Sequence, residues 1–215
     1  MPDLHTTWQA EVEVLSPLHI GSGTELLLGY DLLLNNGHTF RLDEDAFLDQ
    51  ALMEAQSANE EAMNRLLAGR PPIEILREED FDPQSSLFRY VMPGTMFTTS
   101  TGAKAQEQIK DVYDRVYLPG SSLKGALRTM LAWAIYNHQN RKPDLRQLKR
   151  RRSWAAQPLE QSLFGSNPNR DWLRALHVLD SQPLPANEHL RLQTMRVYPT
   201  RDANSPGLNV DVEAI

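Results

Sequence analysis

Residues 117–131, Tyr-Leu-Pro-Gly-Ser-Ser-Leu-Lys-Gly-Ala-Leu-Arg-Thr-Met-Leu, constrain the fold more than any other stretch of the chain. An apolar run ends at Pro119-Gly120, two hydroxyl residues follow, and an amphipathic helical pattern begins. An extended segment must therefore hand over to a helix at this point. Ser121 or Ser122 is placed to cap that helix, whose first turn has unpaired N–H groups and a partial positive charge. Such an end accepts anions, phosphate above all. Gly120 and Gly125 let another backbone come close. Lys124 and Arg128 are four apart and share a helix face. Hydroxyls, amides and two cations then point one way. The same residues also fit an ordinary capped helix with two surface cations. They do not form a phosphate-binding Walker loop, because Lys124 precedes Gly125 instead of following it, so nucleotide hydrolysis is not expected.

A chain of 215 residues is long enough to bury a real core. No apolar run approaches the roughly 20 residues that span a bilayer. The N-terminus has no basic-then-apolar secretory pattern. With no cysteine there are neither disulfides nor a cysteine-based zinc site. The six histidines (5, 19, 38, 138, 177 and 189) show no metal-ligand spacing. The expectation is a cytoplasmic chain with no membrane partner, no metal and no cofactor.

The net charge of −6 hides an uneven distribution. Acid gathers early, at Asp43, Glu44, Asp45, Asp49, Glu54, Glu60 and Glu61, then at Glu74, Glu78, Glu79, Asp80 and Asp82. Base gathers later, at Arg141, Lys142, Arg146, Lys149, Arg150, Arg151 and Arg152. A chain of this kind can turn a basic face to phosphate and an acidic one to a basic protein neighbour. Both clusters also fit plain solvated faces.

Residues 8–15 alternate as a half-buried strand, stopped at Ser16-Pro17. Leu18-His19-Ile20-Gly21-Ser22-Gly23 reads as a glycine-rich loop. Residues 26–34 are apolar, and Asn35-Asn36-Gly37 marks a hairpin with residues 39–42 as the return strand. Asp43 or Asp45 caps a helix that continues through residues 60–67 to Gly69. Residues 73–82 form a short helix or turn, and residues 87–99 a strand pair broken at Pro93-Gly94. Within that region Met96 and Phe97 read as core residues, with a wedge against a nucleic-acid base as the alternative, and residues 100–103 as a loop. A helix is expected over 121–138 and a short one over 159–164. Strands are expected at 175–180, 190–198 and 208–215. Residues 144–153 fit either a basic helix or a basic loop. Strands and helices interleave, so the fold class is α+β. A ferredoxin-like (RRM-like) core would use residues 8–15, the 121–138 helix, 175–180 and 190–198. Residues 26–118 would then be a large insertion after the first strand of a single domain over 1–215.

Three blocks carry a resemblance. They are Ser16-Pro17-Leu18-His19-Ile20-Gly21-Ser22-Gly23 after the first strand, Leu118-Pro119-Gly120-Ser121-Ser122-Leu123-Lys124-Gly125-Ala126-Leu127-Arg128 opening a helix, and Leu163-Phe164-Gly165 before Val178-Leu179-Asp180. In order and spacing they resemble the RAMP superfamily of CRISPR proteins. Within it the chain is most similar to the fifth-numbered subunits of type III-A Csm effector complexes, through the Pro-Leu-His-Ile-Gly-Ser-Gly form, the hairpin over 30–42 and the segment over 196–201. The repeated backbone subunit of such complexes is the runner-up. Relatives of this type carry a second ferredoxin-like half, so the resemblance implies a shortened or truncated member with that half absent.

The resemblance implies a subunit that binds guide RNA (crRNA), meets target RNA indirectly, contacts other Csm subunits, especially the backbone one, and caps their filament near the crRNA 3′ end. The implied RNA-binding residues are His19, Gly21, Ser22, Gly23, Gly120, Ser121, Ser122, Lys124, Gly125 and Arg128. RNA backbone is read through phosphates and 2′-hydroxyls, which suits these residue types. General acid–base cleavage needs a positioned group near the scissile phosphate. His19 has no evident partner for it, and Asp111 and Asp114 also read as surface residues. A non-catalytic RNA-binding and assembly subunit is therefore expected, with a backbone subunit or a metal-independent endoribonuclease as the alternative.

Overall fold

The computed structural model describes residues 6–58, 64, 68–140, 142, 144–151, 154–198 and 206–215. The hairpin signal is met where it was expected. β2 (Leu32–Asn35) and β3 (His38–Leu42) pair antiparallel, with Asn35 opposite His38. Asn36 and Gly37 between them have φ of 48° and 78°. Both signs are positive, as a two-residue turn matching the strand twist requires. β4 (Phe88–Pro93) adds to β3 and makes a three-stranded sheet. The anticipated strand pair over 87–99 is this one strand. After it Gly94 turns away, with its carbonyl oxygen held by the Thr39 hydroxyl.

α1 (Glu44–Ala58) begins as expected at Asp43, whose carboxylate accepts the Ala46 N–H at 3.0 Å. Glu44 and Asp45 in its first turn favour the positive end of the helix. One face of the small sheet packs Leu33, Phe40, Leu42 and Phe88 against Phe47 of α1 and against Ile73, Ile75, Leu76 and Phe81. Phe40 meets Phe81 and Phe88 edge-on, at centroid distances of 5.3 and 4.9 Å. Such pairs add about 0.5–1.5 kcal/mol beyond area burial. Residues 73–82 form two short 3-10 turns, Pro72–Glu74 and Glu78–Asp80. The helix expected over 60–67 lies almost wholly outside the described residues, as do Glu60 and Glu61.

A second sheet has the order β1-β5-β9-β8, from β1 (Gly21–Leu27), β5 (Lys104–Gln108), β8 (Arg191–Val197) and β9 (Leu208–Ala214). β8 and β9 are an antiparallel pair in continuous register from Arg191–Ala214 to Val197–Leu208. β5 joins β9 in parallel. A short ladder of β6 (Arg115–Val116) with β7 (Leu184–Pro185) and the turn-length helix α4 (Ala186–His189) complete this part. Leu26, Leu32, Tyr90, Met92, Met96, Ala105, Val116, Leu190 and Leu192 fill the core beneath. Residues 6–116 and 184–215 make up this unit; residues 117–183 form a second compact unit, described by itself.

The second unit contains α2 (Gly120–His138), α3 (Gln157–Phe164) and the 3-10 turns Leu145–Gln147 and Trp172–Ala175. Among its described residues, the buried large apolar side chains are Leu118, Phe164 and Leu173. That is a thin core, so polar bonds carry more of the order here.

The structure corrects two elements assigned to the ferredoxin-like core. Residues 8–15 are exposed and outside any strand, since no described strand lies beside them. Of residues 175–180, Ala175 ends the 3-10 turn and 176–180 are irregular, with the Leu176 carbonyl and the Asp180 carboxylate bonded to the start of α2 instead of to a neighbouring strand. The glycine-rich loop is also revised. Gly21 already pairs with Gln108 in β1, and residues 22–24 bulge out before Glu25 meets Gln106.

Candidate functional site

In the 117–183 unit two of the three sequence blocks converge on the start of α2. Pro119, not a serine, is the N-cap, with φ −62° and ψ 129° and no side-chain bond to the helix. Gly120 is the first helical residue and is buried. A Cβ there would lie 2.1 Å from the Val178 carbonyl oxygen, so only glycine fits. The Gly120 N–H donates to the Asp180 carboxylate at 2.7 Å. Residue 118 is tied to residue 181 twice: Leu118 N–H donates to Ser181 Oγ at 2.9 Å, and Ser181 N–H to the Leu118 carbonyl at 3.0 Å. The chain's own carboxylate thus occupies one bare amide at this positive helix end.

The two cations are engaged as well. Lys124 Nζ donates to the Leu176 carbonyl at 2.8 Å. Arg128 donates from Nε to Glu160 at 2.9 Å and from Nη1 to Asp171 at 2.7 Å. Its guanidinium lies 4.2 Å from the centre of the Phe164 ring, which is itself 1% exposed. Partial burial works against the Arg128 charge, but the hydrogen bonds that it donates to Asp171 and Glu160 outweigh this and raise the pKa. Asp171 also accepts the Leu173 N–H at 2.9 Å and so caps the 3-10 turn beside it.

These contacts correct the picture of a serine-capped helix with two unengaged cations. Lys124 and Arg128 do share a face, but that face meets residues 160–176. α2 exposes Ser121, Ser122, Gly125, Ala126, Leu127 and Thr129 over its first turns, and the helical repeat places Ser121, Ser122, Gly125 and Thr129 on one side. The Ser121 and Ser122 side chains make no hydrogen bond among the described residues. Gly125 has nothing within 4 Å of an added Cβ. A helix-interior glycine costs about 1 kcal/mol relative to alanine, and nothing packed against it in this unit requires one.

In the other unit His19 folds back over its own loop. Its Nδ1 lies 2.7 Å from the Glu213 carbonyl oxygen, and its Nε2 would be 3.2 Å from a Cβ on Gly21. Ser22 Oγ donates to Glu107 at 2.8 Å and accepts the Thr24 N–H at 3.1 Å. Gly23, with φ +94°, has open space around it.

Beneath the loop lies a polar network that sequence reading missed. The Glu213 side chain is fully buried, and its carboxylate receives Lys110 Nζ at 2.6 Å, Tyr90 OH at 2.7 Å and Gln108 N–H at 3.0 Å. Gln108 Oε1 in turn accepts the Ile20 N–H at 2.8 Å. Burial pushes the Tyr90 hydroxyl well above its usual pKa, and the Glu213 charge adds to this. Desolvation raises the Glu107 pKa, yet the Lys110 charge, with bonds from Ser22 and Lys110, more than offsets it, and the pKa is lowered. The one clue in the sequence is an acid at the end of the apolar alternation of β9. Its partner Lys110 lies 103 residues away, so no local pattern links them.

Other candidates sort cleanly. Asp111 is held by Arg115, and Asp114 forms a two-pronged pair with Arg89 at 2.8 and 2.6 Å. Met96 is buried as expected, whereas Phe97 is 67% exposed, with its N–H directed at Asp211. Lys142, Arg146, Lys149, Arg150 and Arg151 are exposed; Arg141 and Arg152 lie outside the described residues. Arg196 donates from Nε to the Pro206 carbonyl at 2.8 Å, and residues 199–201 of the segment over 196–201 also lie outside them. No described group of histidines and acids is arranged to hold a metal ion. No described helix is long and apolar enough to cross a membrane.

The chain is similar to the crystal structure of Csm5 from T. onnurineus, with a TM-score of 0.71 and 26% sequence identity over 94% of this chain. It is also similar to a chain of the cryo-EM structure of a Csm-crRNA-target RNA ternary complex in a type III-A CRISPR-Cas system, with a TM-score of 0.67 and 26% identity over 94% of this chain. It spans 63% of the Csm5 chain and 59% of the chain in that complex. No curated protein sequence matches it. Residues 11–210 match the RAMP superfamily. With that span, and with two of its three sequence blocks joined around Gly120 and Arg128, the chain is a member of the RAMP superfamily.

Proposed function

We propose that this chain is a crRNA-binding and assembly subunit of a type III-A Csm complex, one that caps the backbone filament near the crRNA 3′ end. The observation that carries the reading is the likeness to Csm5, which extends over 94% of the chain. The likeness to a chain from a Csm-crRNA-target RNA complex supports crRNA and other Csm subunits, the repeated backbone subunit foremost, as its partners.

Each unit offers one contact surface for a ribose–phosphate strand. In one, the exposed bulge of Gly21, Ser22 and Gly23 is fixed from below by His19 and Glu107. In the other, Gly120 brings the helix start against residues 178–180, and Ser121, Ser122 and Gly125 face outward. Lys124 and Arg128 act there as positioning residues through Leu176, Glu160 and Asp171. Hydroxyls and open glycines suit a strand read by shape and sugar contacts. Lys142, Arg146, Lys149, Arg150 and Arg151 add sequence-independent attraction.

The test is retention of labelled crRNA on filters across a salt series. Replacing Ser121 and Ser122 with glutamate and Gly125 with leucine is expected to reduce retention at least ~10-fold, with an unchanged melting temperature. Full retention by that variant, in a chain that still assembles with the backbone subunit, removes this surface from the proposal. Failure of the unaltered chain to retain crRNA or to join the backbone subunit refutes the whole reading.

A further inference from the structure

Within the 117–183 unit, α2 and α3 leave a cavity of about 250 Å3 between them. Ala132 of α2 and Leu159, Leu163 and Phe164 of α3 line its apolar part. Arg128, Tyr136 and Glu160 bring polar groups to it. Clefts between helices are common ligand sites, and those for drug-sized molecules measure roughly 300–1,000 Å3. This one is smaller and suits a single planar ring system.

Two polar atoms at the cavity are left over by the contacts of α2. Arg128 donates from Nε to Glu160 and from Nη1 to Asp171. Its Nη2 makes no hydrogen bond among the described residues and is open to solvent. Glu160 accepts Arg128 at Oε2, and its Oε1 is likewise open and without a partner among the described residues. A carboxylate and a cationic N–H donor therefore stand side by side. The bond to Asp171 and the Phe164 ring, 4.2 Å from the guanidinium, fix the donor before any ligand arrives.

Of the RNA bases, only guanine sets two adjacent N–H donors, N1–H and N2–H, beside a carbonyl acceptor, O6. The two donors match a carboxylate, and O6 matches the neighbouring Arg128 Nη2. Adenine, cytosine and uracil each offer the carboxylate a single donor position. Thr129 also lines the cavity and belongs to the side of α2 that exposes Ser121, Ser122 and Gly125. A strand lying along that side passes the mouth of the cavity.

We propose that this cavity takes one unstacked guanine base of the bound RNA strand. The ring lies between Ala132 and the leucines of α3, and its edge meets Glu160 and Arg128. Single-stranded RNA is commonly read in this way, by holding a splayed base between side chains and bonding to its edge. The inference rests on the reading of the start of α2 as an RNA surface, and adds to it one position at which the base sequence is read.

Uridine oligomers that differ only at one central position (guanosine, inosine, adenosine, cytidine or uridine) test it when titrated into the chain with isotope-labelled methyl groups. The guanosine oligomer is expected to bind at least ~10-fold more tightly than the others, and to shift the Ala132, Leu159 and Leu163 methyl signals. Inosine lacks only the N2 amino group and should lose most of the gain. Ala132→Leu fills the cavity from α2, and Glu160→Gln removes the carboxylate while keeping an acceptor for Arg128 Nε. Both variants should melt like the parent and lose the guanosine preference. Retention of crRNA on filters by the same chain reports the underlying reading separately. If crRNA is retained and the oligomers bind equally or not at all, the base pocket alone is overturned. If crRNA is not retained, the reading and the pocket fall together. A guanosine preference that survives in both variants overturns the pocket. So do cavity methyls that respond to the backbone subunit and not to guanosine RNA, an outcome that assigns the cavity to a protein side chain.

Discussion

Asp180 stands where an anion at the start of α2 would otherwise sit, and it sets the first prediction. Asp180→Ala leaves the buried Gly120 N–H without its acceptor. It should lower the unfolding free energy by about 1–3 kcal/mol, read by urea titration. Gly120→Ala meets the Val178 carbonyl oxygen and should cost about 1–3 kcal/mol by overpacking. Glu213 is the matching residue of the other unit. Lys110→Met leaves its buried carboxylate without its counter-charge, a loss of about 3–5 kcal/mol. Replacing both, as Lys110→Met with Glu213→Leu, should recover much of that loss. Glu107 gives the pH dependence. Its folded pKa lies below the ordinary 4.5. Its contribution is therefore complete above about pH 4.5 and is lost as pH falls through the depressed folded value. Glu107→Gln should flatten the acid limb of a stability–pH profile and leave the neutral region nearly level. An unaltered acid limb would show that Lys110 and Ser22 do not govern this group.

At the scale of elements, α2 depends on Arg128 more than on a large apolar face. Glu160 is 46% exposed, so its bond to Arg128 contributes little, whereas Asp171 is 19% exposed and carries most of the pairing. Lysine cannot reach both carboxylates and keep a delocalised cation over the Phe164 ring at once. Arg128→Lys should therefore destabilise the 117–183 unit by about 1–2 kcal/mol, seen as earlier loss of helical circular dichroism. Elements with a local cause were legible in the sequence. Asn36-Gly37 specified the hairpin, Asp43 the start of α1, and the alternation over 190–198 and 208–215 gave β8 and β9. Residues 8–15 alternate just as clearly and are not a strand. A period of two reports compatibility with a sheet, not the presence of a neighbour to pair with.

For the whole molecule, two units of different make-up predict different sensitivities. The residues around Phe40, Phe81 and Phe88 form an aromatic core, so Phe40→Ala should cost about 3–5 kcal/mol. The 117–183 unit, with its thin core and its charged pairs, should lose stability with added salt more readily than the other, measured by residue-resolved hydrogen exchange. If the chain binds crRNA as proposed, neutralising Lys149, Arg150 and Arg151 should weaken binding to all sequences alike. It should also reduce the slope of log K against log salt by about 0.7 for each phosphate that is no longer neutralised. A slope that does not change would exclude those side chains from the RNA path.

By itself the sequence determined the α+β class, the hairpin, the place where α2 begins though not its cap, and the RAMP blocks, because each is written in residues close together along the chain. Only the tertiary structure decided what those blocks do to one another. Lys124 meets Leu176 and Arg128 meets Asp171 across 52 and 43 residues. An exposed cation and an engaged one look the same in a sequence, since the difference lies in which carbonyl or carboxylate the fold brings within hydrogen-bond reach.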